Sequence, residues 1–304
     1  MVPEDLWTRL VKLREAQAFD TSISICQQAL LHCSKEIEPK WWRALKAELA
    51  TALMDSSAGK PGNIERAITI YRQLEKELDR KTYPELAAWT KRGLGNAYLK
   101  RARGDSKSNL LQAINYHNDA LEIYSALKND LICASLRTGL GRAYGYLASI
   151  SDLNLIDEAI RQVKEARKIF ARRHATKDRA DLDSFLGWLY QEKATGNVAE
   201  NQDLSIRHYE RALDYYLKAP LTKNRATIQE ELAIGYQGRQ RGKKTQNLLR
   251  AKAYLRQARR ALRKGFPDDF KRVRARLKEL EIELPRPRIQ ENRGRLPMPG
   301  SADV

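Results

Sequence analysis

The chain has 304 residues, 42% of them hydrophobic and 31% charged, and its 56 Lys plus Arg against 38 Asp plus Glu give a formal net charge of +18. No apolar run approaches the ~18 residues of a membrane span, and the start Met1-Val2-Pro3-Glu4-Asp5-Leu6-Trp7 has neither the basic head nor the apolar middle of a signal peptide, so a cytoplasmic protein with no membrane span is expected. Three cysteines, Cys26, Cys33 and Cys133, fit a reducing compartment rather than a disulfide framework.

Residues 1–40 read as an N-terminal capping hairpin. Leu6, Leu10 and Leu13 share one helix face, Asp20-Thr21-Ser22 makes the turn and cap, and Ile25, Ala29 and Leu30 continue on the next helix. Cys26, His32 and Cys33 lie close together there, but no second Cys or His pair completes four ligands; buried small side chains, and no metal, are the expectation.

Residues 41–266 repeat themselves. A Leu-small pair recurs as Leu49-Ala50, Leu94-Gly95, Leu140-Gly141, Leu186-Gly187 and Leu232-Ala233, at steps of 45, 46, 46 and 46 residues. A second series, Ala67, Ala113, Ala159, Ser205 and Ala251, keeps the same 46-residue step. Two such series in register predict five helical hairpins, approximately 41–85, 86–130, 131–178, 179–224 and 225–266, each burying its apolar face on its neighbours. Glycine inside a helix costs roughly 1 kcal/mol relative to alanine, so its recurrence after Leu predicts close helix approach. Turn signals separate the hairpins at Tyr83-Pro84, Ala219-Pro220 and Phe266-Pro267. Within them Asn63, Asn109, Asn201 and Asn247 hold the period and are expected to cap the second helix by accepting free N–H groups. In Arg103-Gly104-Asp105 the aspartate is likewise expected to cap, not to act as an adhesion motif.

Residues 267–282 form a predicted C-terminal capping helix, with acidic residues at its start and Phe270, Val273, Leu277 and Leu280 at helical spacing. Residues 283–304 are basic, Pro-rich and aperiodic, the composition of a disordered tail.

Leu94-Gly95-x-x-Tyr98, Leu140-Gly141-x-x-Tyr144, Leu186-Gly187-x-x-Tyr190 and Leu232-Ala233-x-x-Tyr236, with Ala67-x-x-x-Tyr71 and Ser205-x-x-x-Tyr209 on the second helices, resemble the tetratricopeptide repeat (TPR). The resemblance covers roughly residues 41 to 270 and implies an all-α, TPR-like α-solenoid. It departs from the family pattern in period, about 46 against about 34, and in the signature Trp, replaced by Lys46, Lys91, Arg137, Asp183 and Gln229. Long repeats of this kind are similar to the arrays that accompany CHAT caspase-like proteases.

Catalytic chemistry is not legible. His117 falls at a second-helix core position and is expected to be packed and hydrogen-bonded, and neither His174 nor His208 stands in a nucleophile–base arrangement. No phosphate-binding loop or cofactor motif is present, so a non-enzymatic chain without cofactors is the expectation. In TPR arrays the first helix of each pair lines a concave groove; by register this implies a protein-binding groove holding Trp89, Arg92, Asn96, Lys100, Arg142, Tyr146 and Trp188. Function then reads as a scaffold or adaptor for a protein or peptide partner.

The charge asymmetry supports an alternative. Residues 225–304 carry 21 Lys plus Arg against 9 Asp plus Glu, an excess of 12. Arg256, Arg259, Arg260, Arg263, Lys271, Arg272, Arg274 and Arg276 form a basic patch suited to nucleic acid or an acidic protein. A third reading is a regulatory subunit of a separately encoded enzyme such as a caspase-like protease.

Overall fold

The computed structural model describes residues 4–56, 60, 62–218, 223–263 and 265–284. Among them the regular structure is thirteen α-helices: α1 (Glu4–Glu15), α2 (Phe19–His32), α3 (Pro39–Asp55), α4 (Gly62–Glu77), α5 (Pro84–Lys100), α6 (Ser106–Ala126), α7 (Asp130–Ile150), α8 (Leu155–Arg172), α9 (Thr176–Glu192), α10 (Val198–Lys218), α11 (Lys223–Gly238), α12 (Lys244–Leu262) and α13 (Pro267–Glu283). The Ala219-Pro220 turn and the tail from 285 onward lie outside the described residues. No described helix is long and apolar enough to cross a membrane.

Each helix packs on the ones before and after it in sequence, which makes the molecule an all-α solenoid. The odd-numbered helices also touch one another, α3 on α5, α5 on α7, α7 on α9 and α9 on α11, whereas the even-numbered helices have no comparable contact among themselves. A stack curves toward its tighter row. The odd helices therefore line the concave side and the even helices the convex side.

Interlocking of rings and glycines explains the Leu-Gly repeat. Side chains from the even helices insert between successive odd helices, meeting residues 22 positions before and after them in sequence. Tyr71 is fully buried against Gly93, where an added Cβ would come 2.3 Å from the ring. His117 lies between Gly95 and Gly139, with ring atoms 2.7 and 2.6 Å from where their Cβ atoms would stand. Val163 presses on Gly141 at 2.4 Å and Tyr209 on Gly187 at 2.8 Å by the same measure. The helix-propensity cost of each glycine is offset by burial of the opposing side chain, worth roughly 1.5–3 kcal/mol for a large one.

His117 corrects the expectation for it: the residue is 1% exposed and packed, but neither ring nitrogen has a hydrogen-bond partner in the structure. The space between two glycines admits an aromatic ring yet supplies no donor or acceptor. Burial, with the Arg92 guanidinium adding to it, pushes the imidazole pKa down to about 4.

For three of the four asparagines the capping expectation is corrected too. Asn109, Asn201 and Asn247 sit inside the first turn of their helices and donate, through Nδ2, to the carbonyls of Arg103, Thr195 and Arg241 at 2.9 Å each. They tie the loop down from within, so the side chain acts as a donor and not as a cap acceptor. Capping is done by Asp105, which accepts from the Ser108 N–H at 2.7 Å, and by Asn197, which accepts from Glu200 at 3.1 Å. Gly104, Gly196 and Gly242, all at φ between +79° and +87°, supply the left-handed residue that these loops require.

Where the TPR pattern has Trp, four of the five replacing polar residues reach from an odd helix to the even ones, while Lys46 lies over the Trp42 ring of its own helix. Lys91 meets Glu75 of α4 at 3.4 Å and Asp119 of α6 at 2.7 Å. Arg137 donates to Gln162 of α8 at 3.1 Å, Asp183 accepts from Arg167 of α8 at 2.9 Å, and Gln229 donates to Gln257 of α12 at 2.8 Å. At the open end α13 buries Val273, Leu277 and Leu280 beside α12. The cysteines are core side chains: burial, helped by Glu48, raises the Cys26 thiol pKa to about 12, out of the reactive range.

Candidate protein-binding groove

On the concave side, α7, α9 and α11 surround an open hollow of about 430 Å³. One wall is aromatic. Phe185 and Trp188 of α9 stack at 5.3 Å between ring centroids, and Tyr146 of α7 leans on both at 6.2 and 5.7 Å. Gly145 makes the seating possible, because a Cβ there would stand 2.9 Å from Leu189 and 3.0 Å from Trp188. Tyr146 remains 44% exposed, so the cluster is half finished and presents ring surface to the groove. The spacing of Arg142 and Tyr146 places them on one face of α7, and Arg142 is exposed with no ion pair among the described residues.

The rest of the lining is polar and acidic. Asp181, on α9 beside the aromatic rings, accepts a hydrogen bond from the Tyr216 hydroxyl and pairs with Lys177 at 2.9 Å, and Glu231 of α11 accepts a hydrogen bond from Gln191 at 3.4 Å. Burial raises the Glu231 pKa, the Gln191 contact opposes it, and neighbouring Glu230 adds to the rise. An occupant is thus offered flat apolar area, the Arg142 cation on α7 and the Glu231 carboxyl on α11. Interfaces concentrate affinity in aromatic and Arg anchors of this type.

Of the seven groove residues expected from register, the hollow brings together Arg142, Tyr146 and Trp188. The rest are placed elsewhere. Trp89 meets Trp7 of α1 edge-on at 6.0 Å, and Trp7 also lies 6.5 Å from Trp41, so the N-terminal hairpin covers that part of the concave face. Lys100 is held by Asp55 at 3.1 Å. Arg92 and Asn96 are half-buried between these contacts and the hollow's end of the stack. Sequence reasoning did not place Phe185, Tyr209, Asn224, Thr227 or Glu231 in the groove, yet all of them line the hollow. Carrying the register one repeat further reaches three of them, since Asn224, Thr227 and Glu231 stand 46 residues after Asp178, Asp181 and Phe185.

The basic patch is partly neutralised. Glu230 binds Arg272 at 2.8 Å and Arg276 at 3.0 Å, Asp269 takes a second Arg272 nitrogen at 2.7 Å, and Glu281 lies 3.8 Å from Arg256. Lys271 is 3.9 Å from Asp268. Arg259, Arg260, Arg263 and Arg274 have no such carboxylate among the described residues.

No family model matches the chain, and no curated protein matches it. Solved structures do. BtubC (BKLC) from P. vanneervenii superposes with a TM-score of 0.56, covering 99% of this chain and 98% of that one at 17% identity. A Podosopora anserina putative kinesin light chain with nearly identical TPR-like repeats superposes with a TM-score of 0.51, covering 71% of this chain and 92% of that one at 17% identity. At this identity the likeness establishes the fold, an α-solenoid of TPR-like hairpins.

Proposed function

We propose that the protein is a non-enzymatic scaffold that holds a segment of a partner protein in its concave groove, seated on Tyr146, Phe185 and Trp188 and oriented by Arg142. The observation that carries this reading is the half-exposed aromatic cluster beside an open hollow, with an unpaired Arg at its rim. Aromatic area of this kind is normally buried in a monomer unless something covers it. Arg142 on α7 and Glu231 on α11 then set the direction of the bound segment.

A photo-crosslinking residue placed at Ser184, in the hollow, and another at an exposed convex position such as Arg207 test the assignment in native extract. The groove position is expected to capture a discrete partner that the convex position does not, and Trp188→Ala with Tyr146→Ala is expected to abolish that capture while circular dichroism is unchanged. Equal capture from both positions contradicts the groove. The resemblance to CHAT-associated repeats makes a separately encoded caspase-like protease one partner for which the captured band would be examined.

Four arginines with no carboxylate within 4 Å among the described residues, Arg259, Arg260, Arg263 and Arg274, favour a second reading in which the C-terminal end follows a phosphate backbone. Binding to duplex DNA or RNA would then weaken with salt by about 0.9 in log–log slope for each phosphate neutralised. Changing the four to Gln is expected to lower that slope; affinity insensitive to the change assigns the basic end to an acidic protein.

A further inference from the structure

A cleft of about 770 Å³ opens on the convex side, between α8 and α10 with α9 as its floor. Its chemistry is best read against the equivalent place two repeats earlier, where every position is 92 residues lower. There Lys91 of α5 lies on the floor between two wall carboxylates, Glu75 and Asp119, at 3.4 and 2.7 Å, and the Tyr116 hydroxyl donates to Glu75 at 3.2 Å. That triad is closed. In the later cleft all three signs are exchanged: Asp183 is the floor, and Arg167 and Arg211 are the walls.

The inverted triad does not close. Arg167 takes both carboxylate oxygens of Asp183 at 2.9 Å, and His208, which stands where Tyr116 stood, meets Asp183 through Nδ1 at 2.8 Å. Burial alone would raise the Asp183 pKa, but the hydrogen bonds from His208 and Arg167 bring it below the usual carboxylate value, so the floor is an anion fully occupied by its own partners. Arg211 is left over. Two further cations join it at positions that were alanines two repeats earlier: Arg179 for Ala87 and Lys218 for Ala126. None of Arg179, Arg211 and Lys218 has an ion pair among the described residues, and the wall's other carboxylate is Asp214.

Four cations thus face two carboxylates across one concavity, leaving a double positive excess that attracts an anion. A carboxylate ligand would offer two oxygens and a single charge. A phosphomonoester offers three strong acceptor oxygens and a charge of about −1.5 to −2 near neutral pH, and arginine forks match its geometry. We propose that the cleft between α8 and α10 is a phosphomonoester-binding site, with Arg179, Arg211 and Lys218 on the phosphoryl oxygens and Arg167 held in place by Asp183. This site is on the opposite face from the groove and stands whether or not the groove reading holds.

Calorimetric titration of the full chain with inorganic phosphate, O-phosphoserine and a nucleoside monophosphate tests it, using Arg179→Gln with Arg211→Gln and, as a charge-matched control, Arg103→Gln with Arg207→Gln, both exposed and outside the cleft. Binding is expected to weaken at least tenfold in the double variant and to stay within twofold in the control. O-phosphoserine binding more tightly than the nucleotide would identify a phosphorylated side chain of a partner as the source, and the reverse order a free phosphorylated metabolite. Equal weakening in the control and the double variant, or no phosphate binding by the intact chain, would overturn the site.

Discussion

His117 shows what a single repeat position can do when its chemistry changes and its packing does not. Tyr71 occupies the same place in the first hairpin and has a partner for its hydroxyl, Thr51 at 2.7 Å; His117 fills the space between Gly95 and Gly139 but has nothing to bond. Its folded-state pKa of about 4 is depressed below the ordinary 6.5, so the unfolded chain takes up the proton first. The stability it permits is complete above pH 6.5 and is lost as pH falls, at about 1.4 kcal/mol per pH unit, until the imidazole charges near pH 4. His117→Leu, which copies Leu255 of the last hairpin, is expected to raise stability at neutral pH and to remove about 3 kcal/mol of acid sensitivity across that window. Denaturant melts of both proteins at pH 4.5 and 7 decide it: identical pH dependence would mean that the histidine finds a partner in solution.

At the scale of helices, close approach is the economy of the fold. Gly141 faces Val163 Cγ2 at 2.4 Å and the Ala159 carbonyl at 3.3 Å from where its Cβ would be, so Gly141→Ala must push a whole helix and not merely a flexible side-chain end. Despite the better helix propensity of alanine, the change is expected to destabilise by about 1–3 kcal/mol, and Val163→Ala in the same chain to recover part of that loss. Additive losses in the double variant would show that the two sites do not meet.

These contacts also show how far the sequence could be read. The 46-residue period made the hairpins, their order and the small residues of the odd helices legible, because each repeat solves the same local packing problem. The polar replacements of the signature Trp were visible as departures, yet their partners were not: Lys91 joins residues 16 positions before and 28 after it, and only the stacked helices bring those together. The asparagines were misread for a related reason, since periodicity reports that a side chain is needed without telling whether it donates or accepts. Register named Arg142, Tyr146 and Trp188, which line the hollow, but it could not show that Trp7 from α1 reaches Trp89.

The whole molecule is organised by the difference between its two faces. The concave row presents aromatic rings and an unpaired Arg142, the convex row presents the cationic cleft above Asp183, and the C-terminal end carries arginines that Glu230 and Glu281 balance only in part. Because the proposed groove and the proposed cleft lie on opposite faces, occupation of one leaves the other open. The groove assignment is tested most directly by hydrogen–deuterium exchange of the protein alone and in complex with the partner captured at residue 184. Slowed exchange confined to α7, α9 and α11, strongest around residues 142–146, 184–188 and 224–231, is the predicted result; protection concentrated in α12 and α13, with the concave helices unchanged, would contradict it.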